Sequence, residues 1–255
     1  MPPIIEIATF NAESSILALT HGASRIELCA NQSLGGTTPS LQTLTILATL
    51  TTHNKNTNAV PIPINVMIRP RGGNFVYTPD EITQMKNDIT TFSAENVHIN
   101  GFVFGVLTPE RNIDVDTCRE LLDFIHSSSS HQNQPQNQTH SQNRKPTTFH
   151  RAFDVIPPSE MSSALESLIS LGFTSVLTSG GAANAFEGRD ILAKLVRQAA
   201  GRIEIIVGGG VRSSNLEALV RETGAMAYHS SAVIGEGDVA SGEEVERLSA
   251  ILKSS

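Results

Sequence analysis

Tryptophan is missing from this chain of 255 residues, and only two cysteines, Cys29 and Cys118, occur in it. Two cysteines without a CxxC spacing exclude a disulfide framework and fit a reducing compartment, cytoplasmic or nuclear. No apolar run approaches the roughly 20 residues of a membrane-spanning helix. The first residues, Met1 to Glu6, have neither a basic stretch nor an apolar core, so no leader is expected. Blocks of lysine and arginine are also lacking, and the formal net charge is −7. That balance excludes nucleic acid and anionic membrane as partners.

What the chain does have is a succession of short β-rich runs that stop in charged or glycine clusters. Strands are predicted at Ile4–Ala8, Arg25–Cys29, Ile64–Ile68, Gly101–Phe104, Thr147–His150, Ser175–Leu177, Ile203–Val207 and Met226–His229. Helical patterns separate them. The first is capped by Asn11 and ended by Gly22, and the second is capped by Ser40 and followed by a polar connection over 51–63. The others cover about 80–94, 115–126, 159–171, 188–200, 214–223 and 242–252. Eight alternating units in about 250 residues predict a single-domain α/β chain folded as a (β/α)8 TIM barrel, with a doubly wound open sheet as runner-up. Ser127–Pro146, rich in Ser, Asn and Gln, breaks the pattern. It has too little apolar surface to offset its ordering entropy and reads as a disordered insertion between the fourth helix and the fifth strand. An insertion there lies on the face opposite a barrel's site.

Side chains alternate along a strand, so one choice of face sends Glu6, Glu27, Cys29, Met67, Arg69, His150 and His229 into the barrel. A barrel built for stability alone would place Val, Ile and Leu there. Burying several ionisable groups is costly unless they pair. The cluster is therefore either a structural ion-pair group, such as Glu27 with Arg69, or a pocket for an anionic or hydroxylated ligand. In the pocket reading Glu6, Glu27 or His150 moves a proton. Asp154 either orients His150 or caps the turn after it. Arg69 and Arg71, flanking Pro70, present planar forks to a carboxylate or phosphate. Gly208, Gly209 and Gly210 lead into a helix, and Ser179, Gly180 and His229 add donors. The loops after strands 7 and 8 are the frequent phosphate site of this fold.

These segments together resemble the CutC copper-homeostasis family. The stretches that carry the resemblance are RIELCANQSLGGTTPS (25–40), MIRPRGGNFVY (67–77), FVFGVL (102–107), TFHRAFD (148–154), LTSGG (177–181), GGGVRSSN (208–215) and HSSA (229–232). The resemblance covers nearly the whole chain outside 127–146. It implies a TIM barrel, a mainly cytosolic location, self-association as a dimer or larger, and copper handling. It implies Cu(I) as the metal and no organic cofactor. Several family members carry a cysteine at the end of the first strand facing that of the second, where this chain has Ala8. The implied ligands here are then Cys29 and Met67, soft donors of the kind Cu(I) prefers, with His150 or His229 as an imidazole. Asn74 stands where the family usually has aspartate. Three readings stay open: copper handling, an enzyme acting on a small phosphorylated or carboxylated metabolite, and a non-catalytic binding scaffold.

Overall fold

The strands are β1 (Ile4–Thr9), β2 (Arg25–Leu28), β3 (Ile64–Met67), β4 (Gly101–Phe104), β5 (Thr147–Phe149), β6 (Ser175–Thr178), β7 (Glu204–Gly208) and β8 (Ala227–Ser230). The helices that follow them are α1 (Ala12–Thr20), α2 (Leu41–His53), α3 (Pro79–Ala94), α4 (Val115–Ser128), α5 (Met161–Leu171), α6 (Arg189–Ala199), α7 (Ser213–Thr223) and α8 (Gly242–Lys253). In this computed structural model, which describes residues 2–53, 62–94, 99–128 and 144–254, all strand pairs are parallel and the barrel closes by β1 pairing with β8. The TIM-barrel expectation holds and the open sheet does not.

Element ends fall where local chemistry puts them. Asn11 Oδ1 accepts the Ser14 N–H at 2.7 Å and starts α1, and Ser40 Oγ accepts the Thr43 N–H at 3.2 Å at the start of α2. Two boundaries differ from the sequence reading. The predicted insertion begins too early, because α4 continues through Ser128; residues 129–143 lie outside the described residues. The polar connection likewise begins inside α2, which runs to His53. Strand β5 stops one residue short of His150, which caps a 3₁₀ turn over Arg151–Val155.

The outward faces of the strands carry Ile5, Ile7, Ile26, Leu28, Val66, Phe102, Phe104, Phe149 and Tyr228, all fully buried under the helices. Each such side chain contributes about 1.5–3 kcal/mol of transfer free energy. The interior is different. Two small apolar clusters, Leu177–Ile206–Ala227 and Cys29–Met67–Val103, occupy separate parts of it. A buried polar network completes the interior. In it Arg25 pairs with Glu6 and, at 2.8 Å, with Glu204. Asn65 donates to Glu6 at 3.3 Å and accepts from Asn100 at 2.8 Å. Among the described residues no helix is long and apolar enough to cross a membrane.

Candidate functional site

A cavity of about 200 Å³ opens at the C-terminal ends of the strands, and its walls include Glu27, Cys29, Met67, Arg69, His150 and His229. The six side chains come from β2, β3, β5 and β8 or the residues just after them, as the alternation predicted. Arg151, Arg212, Gly209 and Gly210 complete the rim. The volume is below the roughly 300–1,000 Å³ of drug-sized pockets, so the enclosed part suits a ligand of a few heavy atoms.

Glu27 and His229 form the central pair. Glu27 Oε2 meets His229 Nε2 at 2.8 Å, and Glu6 Oε1 lies 3.9 Å from the same nitrogen. Burial alone lowers the imidazole pKa, but the two carboxylates, Glu27 foremost, outweigh it and hold the pKa above its ordinary value. The two carboxylates thus favour the charged form of the His229 ring. The expected Glu27–Arg69 pair does not form; His229 takes that place.

His150 is the opposite case. Its Nδ1 accepts the Ala152 N–H at 3.2 Å, which puts the ring proton on Nε2. Burial, with the Arg69 charge second, pushes its pKa down to about 3. The neutral ring packs on Phe75 at 4.9 Å between centroids, and the Arg69 guanidinium lies 4.8 Å over the same Phe75 ring. His150 Nε2 has no hydrogen-bond partner, and neither do Glu27 Oε1 and Arg69 Nε.

The two arginines of the RPR segment separate. Arg69 reaches the cavity wall, but its Nη1 donates to Leu34 O and Gly36 O, both at 2.8 Å, and its Nη2 to Gly73 O at 3.1 Å. It clamps the loops after β2 and β3 as well as charging the pocket. Arg71 does not line the cavity. It pairs with Glu81 at 2.6 Å, donates to Val76 O at 2.8 Å and lies over Tyr77, so its expected anion-binding role is corrected to a loop clamp.

Two of the expected anion cradles, the β6 loop and the start of α7, are occupied from within. Asp154 does not orient His150. It accepts from Arg151 Nε at 2.7 Å, Thr178 Oγ1 at 2.5 Å, Ser179 N at 2.9 Å and Gly181 N at 3.2 Å. Gly180 N turns to Thr178 Oγ1 instead, so Ser179 and Gly180 serve the loop rather than a ligand. At the start of α7, Glu244 from α8 accepts from Ser213 N and Ser213 Oγ, both at 2.7 Å. The helix end after Gly208–Gly210, expected to hold an anion, thus holds an internal carboxylate. Gly209 and Gly210 have φ of 96° and 72°, values that favour glycine, and let the backbone turn along the cavity wall. Gly208 lies in β7 with no room for a side chain: a Cβ there would meet Leu177 Cδ1 at 2.5 Å.

The soft donors also converge. Cys29 and Met67 pack together with Val103, and a Cβ on Gly36 would touch both, at 3.5 Å from Cys29 Sγ and 3.7 Å from Met67 Cε. Burial, then the neighbouring Glu27 charge, raises the Cys29 thiol pKa well above its usual range. Cys118 is on α4 in the outer core, away from this cluster. Glu6, Glu27 and His229 bring ligand atoms within 4.8 Å of one another, an oxygen and imidazole set that suits a harder ion than Cu(I).

Sequence reasoning missed Arg151, Arg212 and Glu244 as site residues. Arg212 signalled itself by following the glycine run. Its Nη1 donates to Ser230 Oγ at 3.1 Å and its Nη2 to Val233 O at 2.9 Å, tying the β7 loop to the β8 loop. Ala232, in that loop, has a φ of 51°, unusual for a residue with a side chain and located beside the cavity.

Known proteins resemble this chain in sequence and fold. The model of the CutC family matches residues 3–234. The human copper homeostasis protein cutC homolog is 38% identical over 229 residues, 90% of this chain and 73% of that protein. A CutC family protein of Porphyromonas gingivalis is 42% identical over 228 residues, 89% and 79% of the two chains. The crystal structure of a CutC protein from Streptococcus agalactiae superposes with a TM-score of 0.72 at 33% identity, covering 90% of this chain and 98% of that one. Phosphoribosylanthranilate isomerase from Thermotoga maritima matches at a TM-score of 0.59 and 12% identity over 99% of this chain and 100% of that one, a likeness of fold alone. By the family model and by relatives sharing more than a third of its residues over most of their length, this chain belongs to the CutC family.

Proposed function

We propose that this chain is an enzyme that moves a proton on a small anionic metabolite held at the mouth of its barrel. One observation carries the reading: Glu27 Oε1, Arg69 Nε and His150 Nε2 are buried without hydrogen-bond partners, and their three residues line one cavity. An unpaired buried polar group costs about 1–3 kcal/mol, which a ligand supplying the partner offsets. In this reading Glu27 exchanges the proton, with His229 holding charge on its far side. Arg69, Arg151 and Arg212 supply the field that attracts an anion. The test is solvent deuterium incorporation, read by mass spectrometry, into a panel of small carboxylates and carbonyl compounds. Glu27→Gln is expected to slow incorporation by about 10²–10⁴-fold. No incorporation by the wild type, together with no binding of any panel compound, would remove the reading.

Copper is the second reading, favoured by the contact of Cys29 with Met67 and by the copper-homeostasis name of the human relative. Here Cu(I) is cargo, held by the Cys29 thiolate and the Met67 thioether. The thiol must first lose its proton against burial and the Glu27 charge. In an anaerobic competition titration Cys29→Ala is expected to weaken Cu(I) at least tenfold. Equal affinity in both proteins would sink direct copper binding at this site.

A further inference from the structure

We infer that the cavity takes an unphosphorylated hydroxy acid or hydroxy-carbonyl compound, its carboxylate or carbonyl oxygen accepting from His150 Nε2 and its hydroxyl donating to Glu27 Oε1. The inference rests on the enzyme reading above and narrows its ligand. Two observations carry it independently.

The first is the polarity of the orphaned atoms. His150 is a fixed donor at Nε2, because Nδ1 is occupied by the Ala152 N–H. Glu27 Oε1 offers an acceptor, since the pairing with His229 uses the other oxygen, Oε2. A ligand in this cavity that satisfies both therefore carries an oxygen acceptor and an O–H donor. The Arg69 cation stacks on the same Phe75 ring as His150 and favours negative charge on the acceptor oxygen. Two neighbouring functional groups on a short carbon chain fit the roughly 200 Å³ cavity.

The second is the state of the loops that grip phosphate in many barrels. After β6, the Ser179 and Gly181 N–H groups and the Thr178 hydroxyl all point to Asp154. After β7, the first N–H of α7 and the Ser213 hydroxyl point to Glu244, itself 3% exposed. These two cradles already carry carboxylates, Asp154 and Glu244. A phosphate brought there meets like charge instead of free donors.

The test is a titration of the full-length protein, labelled with 15N-histidine, by glycolate, acetate and phosphoglycolate. Glycolate is expected to shift the His150 Nε2 resonance. Acetate, which lacks the hydroxyl, is expected to bind at least tenfold more weakly, and phosphoglycolate no more tightly than glycolate. Glycolate affinity, read for the variants at the His229 ring resonances in the same cavity, should be lost in His150→Ala and partly kept in His150→Gln, which retains an N–H donor. A His150 resonance unmoved by glycolate would overturn the inference, as would equal binding of acetate. Phosphoglycolate binding at least tenfold tighter would overturn it too, while leaving the enzyme reading intact. Silence of all three probes combined with no deuterium incorporation anywhere in the panel would remove both.

Discussion

Arg25→Met is expected to lower the unfolding free energy by about 3–5 kcal/mol, measured by urea denaturation at pH 7. Arg25 lies inside the lower barrel, paired with Glu6 and, at 2.8 Å, with Glu204. Glu6 is 1% exposed and cannot recruit bulk water if the guanidinium goes. The penalty is that of a buried carboxylate left with only Asn65 at 3.3 Å and His229 at 3.9 Å, not the value of a salt bridge. Glu6→Gln in the Arg25→Met background is therefore expected to restore most of the loss. Double-mutant coupling above about 1 kcal/mol would establish the pair as the cause. A single-mutant loss below 1 kcal/mol would mean that Glu6 finds other compensation.

The second large effect is on pH dependence. His150 is neutral in the fold, with its pKa held near 3 by burial and by Arg69, whereas the unfolded chain titrates it near 6.5. Below about pH 6.5 the unfolded state binds a proton that the folded state refuses. This contribution is lost as pH falls, at up to about 1.4 kcal/mol per pH unit. His229 acts in the other direction. Burial alone would lower its pKa, but Glu27 and Glu6 raise it. Its contribution is fully present below about pH 6.5 and declines as pH rises through the raised value. Urea midpoints between pH 5 and 6.5 should fall steeply in the wild type and less so in His150→Gln. Parallel slopes in the two proteins would show that position 150 does not titrate in this way.

The barrel and the inward residues were legible because both rest on periodicity. A period of two put Glu27, Arg69, His150 and His229 on one face, and all four line the cavity. What periodicity does not encode is which partner a charged group takes. Glu27 is next to Asn65 in the register of β2 and β3, yet its partner is His229, which faces Glu6 in the register of β1 and β8. Asp154 was placed beside His150 by sequence spacing, but the 3₁₀ turn swings it under the β6 loop. Glu244 gave no signal at all. An acidic residue in the first turn of a helix looks like a favourable charge for that helix's own dipole, not a plug for its neighbour. Arg71 was misread because a surface loop shows no alternation that separates a clamp from a ligand contact.

The Glu27–His229 contact spans 202 residues, and the β1–β8 seam that sets Glu6 beside His229 joins the first strand to the last. Such long-range pairings form late, because loop closure must precede any reward for them. During synthesis a chain still lacking β8 has Glu6 and Glu27 in its unfinished barrel and no His229 beside them. The pocket thus comes into being only when the seam shuts. A ligand selective for it binds closed barrels alone and by mass action adds to the work of reopening them. The protein's resistance to opening at that seam, followed by hydrogen exchange along β1 and β8, becomes a gauge of pocket occupancy that needs no knowledge of the reaction.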